Sequence, residues 1–183
     1  MGRYFCDSYE DFIFYPSRLE SIKRQDLIIS SMKYLQSNIK LKIAGSGSQL
    51  ESYRSLAKKY KVADKVEFLG YVSDNELLEN YSKCMCVAYV PFEEDMGYVT
   101  LERKKKKKPV ITCNDSAGPL EFVEDGVNGY IAEPAPEEIA ASIDKLYQDN
   151  TYKQMGEKGY RKIKDMNLSW DNVIDKLIGP MKS

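Results

Sequence analysis

The sequence predicts an α/β domain: a doubly wound parallel sheet of about six strands with helices on both faces. Three observations predict it. Short apolar runs recur along the 183 residues, and each is followed by a longer stretch whose apolar residues return at helical spacing. Most runs end at glycine or proline, which punctuate strand ends. One run, Met85–Val90, is apolar almost throughout, the pattern of a strand buried on both faces.

The elements follow in order. Phe12–Tyr15 reads as the first strand, and Ile22, Leu27, Ile28, Met32 and Leu35 then recur as one helix face. Leu41–Ala44 is the second strand, closed by Gly45-Ser46-Gly47. Ser48-Gln49-Leu50-Glu51 has the spacing of a capping box and opens a helix through Tyr53, Leu56, Ala57 and Tyr60. Val66–Leu69 is the third strand, ended by Gly70, and Ser73-Asp74-Asn75-Glu76 is a second capping box before Leu77, Leu78 and Tyr81. Met85–Val90 is the fourth strand, ended by Pro91, and a helix is expected from about Tyr98 to Lys107. Pro109–Cys113 is the fifth strand. Pro119 suits the first turn of a short helix through Leu120, Phe122 and Val123. Gly126–Ile131 supplies a turn and a last strand. Pro136 opens a helix with Ile139, Ile143 and Leu146, and two more helices are expected to fill the tail, the last over 165–183 and begun by Ser169-Trp170. Strands alternating with helices imply parallel pairing through right-handed crossovers, a Rossmann-like arrangement. Ligands of such sheets bind beyond the carboxyl ends of the strands at the topological switch point. The segments there are 16–23, 45–48, 70–73, 91–98 and 114–119.

Composition narrows the chemistry. With 27 Lys+Arg against 28 Asp+Glu, net charge is -1, and no general nucleic-acid binder is expected. No run approaches a membrane span, and no signal peptide opens the chain. The four cysteines lack the spacing of a zinc site, and all but Cys6 sit in strand-like runs, so buried thiols are expected. There is no histidine, which removes serine-triad and histidine acid/base chemistry. Carboxylates, Lys/Arg or the substrate must carry any reaction.

Three features could hold a ligand. Arg18 and Lys23, five positions apart, straddle the first strand-to-helix turn. Beside a helix N-terminus they suit a phosphate or diphosphate, or they are two solvated cations. Gly45-Ser46-Gly47 lacks the third glycine of a dinucleotide fingerprint, since Leu50 stands there. A tight turn accounts for it, although Gly45 and Gly47 would also let backbone approach a ligand. Glu94 and Glu102 bracket Gly97 at the expected start of a helix. This places two carboxylates, acceptors for vicinal hydroxyls, beside an anion site; a loop acid and a surface acid would look the same.

Their order along the chain is more specific than any one of them. PSRLESIKR, KIAGSGSQL, VEFLGYVSDNELLENYSKC, EEDMGYVTLE, KKPVIT and EDGVNGYI together resemble the C-terminal, donor-binding domain of the retaining GT-B glycosyltransferases, the group 1 or family 4 type. The resemblance runs from about Phe12 to Leu177. It implies one half of a GT-B architecture, with 1–183 a single nucleotide-sugar-binding domain and the N-terminal acceptor domain absent. It implies transfer of a hexose with retention from a nucleoside-diphosphate sugar, such as a UDP- or GDP-hexose, without metal or other cofactor. Arg18 and Lys23 would grip the diphosphate and Glu94 would orient the sugar. Glu102 would hold the ribose. Backbone of Gly97, Tyr98 and Val99 would meet phosphate and sugar oxygens, and Val72 would lie near the base. A glycan or lipid-linked acceptor would be met through the missing domain, at the cytoplasmic face of a membrane or free in the cytoplasm, with peripheral association of the full-length enzyme an option. The isolated domain is expected to transfer little or no sugar. Other readings are a non-catalytic sugar-nucleotide binding module, a GT-B epimerase, a dinucleotide oxidoreductase, and a surface protein using the basic run 103–108. That run departs from the small, apolar family pattern, and Lys105 and Lys108 fall where an apolar stripe would continue. Burying those lysines is costly unless their ammonium groups snorkel out, and a solvated or locally distorted helix end is expected.

Overall fold

The computed structural model describes residues 9–93 and 107–165. Six strands form one sheet: β1 (Glu10–Pro16), β2 (Lys40–Ala44), β3 (Val66–Gly70), β4 (Cys84–Ala88), β5 (Val110–Cys113) and β6 (Gly129–Ala132). Their order is β3-β2-β1-β4-β5-β6, and every pairing is parallel. The α/β, doubly wound, Rossmann-like class is therefore as the sequence predicts. The chain builds outward from β1 to β3, returns to lay β4 beside β1, and builds outward the other way. The switch point is the seam between β1 and β4, where Ile13 pairs with Cys86 and Phe14 with Val87.

The helices are α1 (Gln25–Ser31), α2 (Leu50–Lys59), α3 (Asp74–Lys83), α4 (Pro136–Gln148) and α5 (Tyr152–Asp165). One face of the sheet presents Ile13, Tyr15, Leu41, Ile43 and Ile111 to a core that includes Ile28, Ile29, Tyr53, Ile139 and Ile143 of the helices. The other presents Phe12, Phe14, Ala44 and Val87 to Tyr81 of α3. Strand β4 is buried at every position, as its unbroken apolar run requires. Cys84, Cys86 and Cys113 are buried free thiols.

Three local expectations are corrected. The helix expected through Ile22 and Leu35 is broken: a 3-10 turn covers Ser21–Lys23, Arg24 takes a left-handed φ of 51°, and α1 ends at Ser31. The tie that holds Arg24 there is a tertiary one, described below. The chain then turns under Asp144 of α4, whose carboxylate accepts from the Gln36 and Ser37 amides at 2.8 and 3.0 Å and from the Ser37 hydroxyl at 2.6 Å. Ser48 is not a cap. Helix α2 starts after Gln49 with no side-chain cap, and the Ser48 hydroxyl donates to Glu20 Oε2 at 3.2 Å. The capping box at Ser73 and Glu76 does form, and the Ser73 hydroxyl and amide, both donating to Glu76 Oε2, hold that carboxyl below its ordinary pKa. Lys108 does not snorkel. It is 2% exposed, and its ammonium lies 3.4 Å from the centroid of the Tyr9 ring, a cation–π contact that shields the charge inside the fold. Lys105, the Tyr98–Lys107 helix (Lys107 itself apart) and the 165–183 helix (Asp165 apart) lie outside the described residues.

Candidate functional site

Two loops meet at the switch point. The first leaves β1 at Pro16 and carries Arg18 and Lys23. Its start is locked to the loop after β2. The Ser17 amide donates to Ala44 O at 2.9 Å, the Leu19 amide to Ser46 O at 3.0 Å, and the Gln49 amide to Leu19 O at 3.1 Å. This ladder explains Gly45 and Gly47. A Cβ on Gly45, at φ +133°, would stand 2.1 Å from Ser17 O, and one on Gly47 would stand 2.3 Å from Leu19 O. The two glycines hold the loops together by letting backbone pack on backbone. Buried Gln25 adds a bond from its Nε2 to Arg18 O at 2.8 Å, so the Arg18 backbone is fixed while its side chain is exposed.

The second loop leaves β4. Its first residues run beside the β1 loop, with the Phe92 amide donating to Ile22 O at 2.9 Å. Lys23 reaches across the seam. Its Nζ donates to the Tyr89 hydroxyl at 3.3 Å and lies 5.8 Å from the centroid of that ring. Tyr15, at the end of β1, donates its hydroxyl to Lys23 O and accepts from the Val90 amide. The Lys23 backbone and ammonium are thus both referred to the two central strands.

Arg24, adjacent, anchors three loops. Its Nε donates to Val90 O at 2.8 Å and its Nη2 to Pro91 O at 2.9 Å. The same guanidinium forms a bidentate pair with Asp115, after β5, at 2.7 and 2.6 Å. The hydrogen bond from Arg24 holds the Asp115 carboxyl below the ordinary carboxylate range. Burial opposes the Arg24 charge, but the bond and charge of Asp115 outweigh it and the guanidinium pKa is raised. Cys113, behind them, is pushed up to about 12 by burial, so this thiol is no nucleophile at neutral pH.

The structure thus places Arg18 and Lys23 on one loop, with Gly45 and Gly47 against that loop's backbone. Val72 follows β3 and lines a groove of about 310 Å³ beside Leu69, Tyr71 and Glu76; neither Arg18 nor Lys23 is in its walls. Glu94, Gly97, Tyr98, Val99 and Glu102 lie outside the described residues. Among those described, no cluster of three or more Cys, Asp or Glu is placed to hold a metal ion, and no helix is long and apolar enough to cross a membrane. Sequence reading missed Arg24, Tyr89 and Asp115. Arg24 looks like a helix-surface cation in a linear pattern, and Tyr89 like one more apolar strand residue. Only the position of Asp115 beyond the fifth strand hinted at a role.

Comparison with known proteins gives the family context. The model of glycosyl transferases group 1 matches residues 5–162. The human alpha-1,3/1,6-mannosyltransferase ALG2 is 34% identical over 120 residues, covering 63% of this chain and 29% of that protein. The fold is that of Anabaena HepE in complex with UDP and glucose, at a TM-score of 0.79 and 21% identity over 85% of this chain and 44% of HepE. It is also that of the C-terminal domain of LpcC, a glycosyl transferase group 1 family protein of Francisella tularensis, at a TM-score of 0.76 and 21% identity over 86% of each chain. The chain spans less than half the length of ALG2 or HepE.

Proposed function

The chain belongs to the glycosyl transferases group 1 family, and from that premise we propose that it is the donor-binding half of a retaining, metal-independent hexosyltransferase. The observation that carries this reading is the seating of Lys23 across the β1–β4 seam against Tyr89, on the same loop as exposed Arg18. Two cations at a switch point suit a diphosphate. The mannosyltransferase activity in the name of the human relative and the UDP and glucose bound by HepE support a nucleoside-diphosphate hexose as donor.

In this reading the diphosphate lies along Arg18 and Lys23. The bond between the sugar's anomeric carbon and the diphosphate breaks, and a bond to an acceptor oxygen forms on the same face. The acceptor's proton passes to a phosphate oxygen of the leaving diphosphate. Charge builds on that diphosphate in an oxocarbenium-like transition state, and Arg18 and Lys23 oppose it. Glu94 orients the sugar, Glu102 the ribose, Gly97–Val99 supply amides, and backbone at Val72 meets the base. The acceptor, a glycan or a lipid-linked molecule, is held by a second domain, in the cytoplasm or at the cytoplasmic face of a membrane.

The test is thermal stability of the chain against UDP, GDP, ADP, their sugar conjugates and NAD, with Lys23→Ala and Glu102→Ala alongside. Ligand at about 100 times its Kd adds about 2.7 kcal/mol, and each kcal/mol moves the midpoint by roughly 2–4 °C at this size. A shift with one nucleoside diphosphate that both variants lose is expected. A shift with NAD alone, or with no diphosphate, overturns the reading.

A further inference from the structure

We propose that Arg24 is a positioning residue that preassembles the diphosphate grip by fixing the Lys23 ammonium across the seam. The inference rests on the donor-site reading above and assigns that site a part it does not contain. Lys23 reaches Tyr89 from a 3-10 turn of only three residues, and a helix this short does not hold a lysine in place by its own hydrogen bonds. The next residue is Arg24, at φ 51°, a left-handed conformation that is unfavourable for a non-glycine residue. Glycine would adopt it freely. What arginine contributes instead is a planar fork. One guanidinium joins Val90 O, Pro91 O and both Asp115 oxygens, tying the loops after β1, β4 and β5 at one point. The Arg24 side chain is 15% exposed and that of Asp115 29%, so the pair is shielded enough to hold geometry rather than to fluctuate as a surface ion pair.

Two further bonds connect the tie to Lys23. The Phe92 amide donates to Ile22 O and the Glu93 amide to Asp115 O, so the loop after β4 is closed against both neighbours. The guanidinium also lies 5.6 Å from the centroid of the Phe92 ring. Lysine at position 24 would keep the charge but could not make the fork. The charge near the diphosphate would then be unchanged while the geometry was lost, which separates positioning from simple attraction.

The experiment uses the 183-residue chain, Arg24→Lys and Asp115→Asn, and each combined with Lys23→Ala. Calorimetry gives affinities for UDP, GDP, uridine and guanosine. Amide hydrogen exchange reads Phe92 and Glu93 against core amides Ile13 and Val87. Both single variants are expected to weaken the diphosphate about tenfold, the scale of coupling within one hydrogen-bond network, and to leave the nucleoside unchanged. Exchange at Phe92 and Glu93 quickens while Ile13 and Val87 stay protected, which shows that the variants are folded. Added to Lys23→Ala, neither variant weakens the diphosphate further. Undiminished diphosphate affinity in Arg24→Lys with quickened exchange overturns the proposal and leaves the donor site standing, as does full additivity with Lys23→Ala. A parent chain that binds no diphosphate overturns the donor site itself, and this proposal with it.

Discussion

The ammonium of Lys23 and the hydroxyl of Tyr89 are 3.3 Å apart across the seam between β1 and β4, although the two residues are 66 positions apart in the chain. This contact joins the two halves of the doubly wound sheet where its direction of growth reverses. Hydrogen bonds to charged groups contribute about 1.5–3 kcal/mol each. Lys23→Ala is therefore expected to weaken a nucleoside diphosphate by roughly ten- to a hundredfold and its nucleoside hardly at all. Tyr89→Phe, which keeps the ring and the lysine, should cost less than Lys23→Ala. Calorimetric titration of diphosphate and nucleoside with each variant checks the order.

The loop glycines make a steric prediction. Gly47→Ala places a methyl 2.3 Å from Leu19 O, and Gly45→Ala places one 2.1 Å from Ser17 O at a φ that disfavours alanine. In both cases the obstacle is backbone, which cannot swing aside. Each variant is expected to lose about 2–4 kcal/mol of stability, read as a lower urea midpoint at unchanged m value. A loss below about 0.5 kcal/mol would mean that the two loops separate more easily than their hydrogen bonds indicate.

Asp144 is 8% exposed and closes the turn after α1 with three hydrogen bonds. Asp144→Ala strands two backbone amides in a half-buried turn. The expected cost is about 2–4 kcal/mol. Asp144→Asn keeps one acceptor oxygen and should recover part of it. Urea unfolding of the two variants measures the difference.

The Arg24–Asp115 pair predicts a pH dependence. Arg24 depresses the folded-state pKa of Asp115 below its unfolded value of 3.8. The stability that this shift contributes is fully present above about pH 4 and is lost as pH falls through the lower, folded pKa. The stability difference between the parent chain and Asp115→Asn should therefore be constant from pH 5 to 7 and shrink below pH 4. Urea midpoints at stepped pH test it, and a difference that grows on acidification would reverse the sign and reject the pair as its cause.

Tyr9 covers Lys108 and also lies 5.4 Å, centroid to ammonium, from Lys153 of α5. Its ring centroid lies 4.8 Å from that of Tyr152, the two planes tilted by 49°. Tyr9→Leu keeps apolar volume but removes the ring face from a lysine that is 2% exposed. The expected cost is about 2 kcal/mol, or roughly 4–8 °C in midpoint at this chain size. Tyr9→Phe, which keeps the face, should cost less than Tyr9→Leu.

What the sequence alone determined is the class of fold and the strand-end address of the candidate site. Apolar periodicity is a local property. The alternation of periods 2 and 3.6 names strands and helices, and the apolar run of β4 marks a strand buried on both faces. Short crossovers then leave parallel pairing as the arrangement that fits. Arg18, Lys23 and the Gly45–Gly47 turn were legible because they stand at strand ends, where such sheets bind ligands. The family resemblance was legible for the same reason, since it rests on strand-end motifs in a fixed order.

Tertiary structure decided the rest. The helix signal through Ile22 and Leu35 was real, but it was overridden at Arg24 by hydrogen bonds to Val90, Pro91 and Asp115, which lie 66 to 91 positions away. Ser48 has the spacing of a cap yet turns to Glu20, because its backbone already belongs to the loop that packs on Leu19. Lys108 was legible as a lysine on an apolar stripe, but the ring that shields it belongs to Tyr9, just before β1 and remote in the chain. In each case the deciding partner is remote in sequence. Periodicity and capping rules see only neighbours three or four residues apart, whereas a carboxylate, a carbonyl or a ring brought close by the sheet can outweigh them by a few kcal/mol.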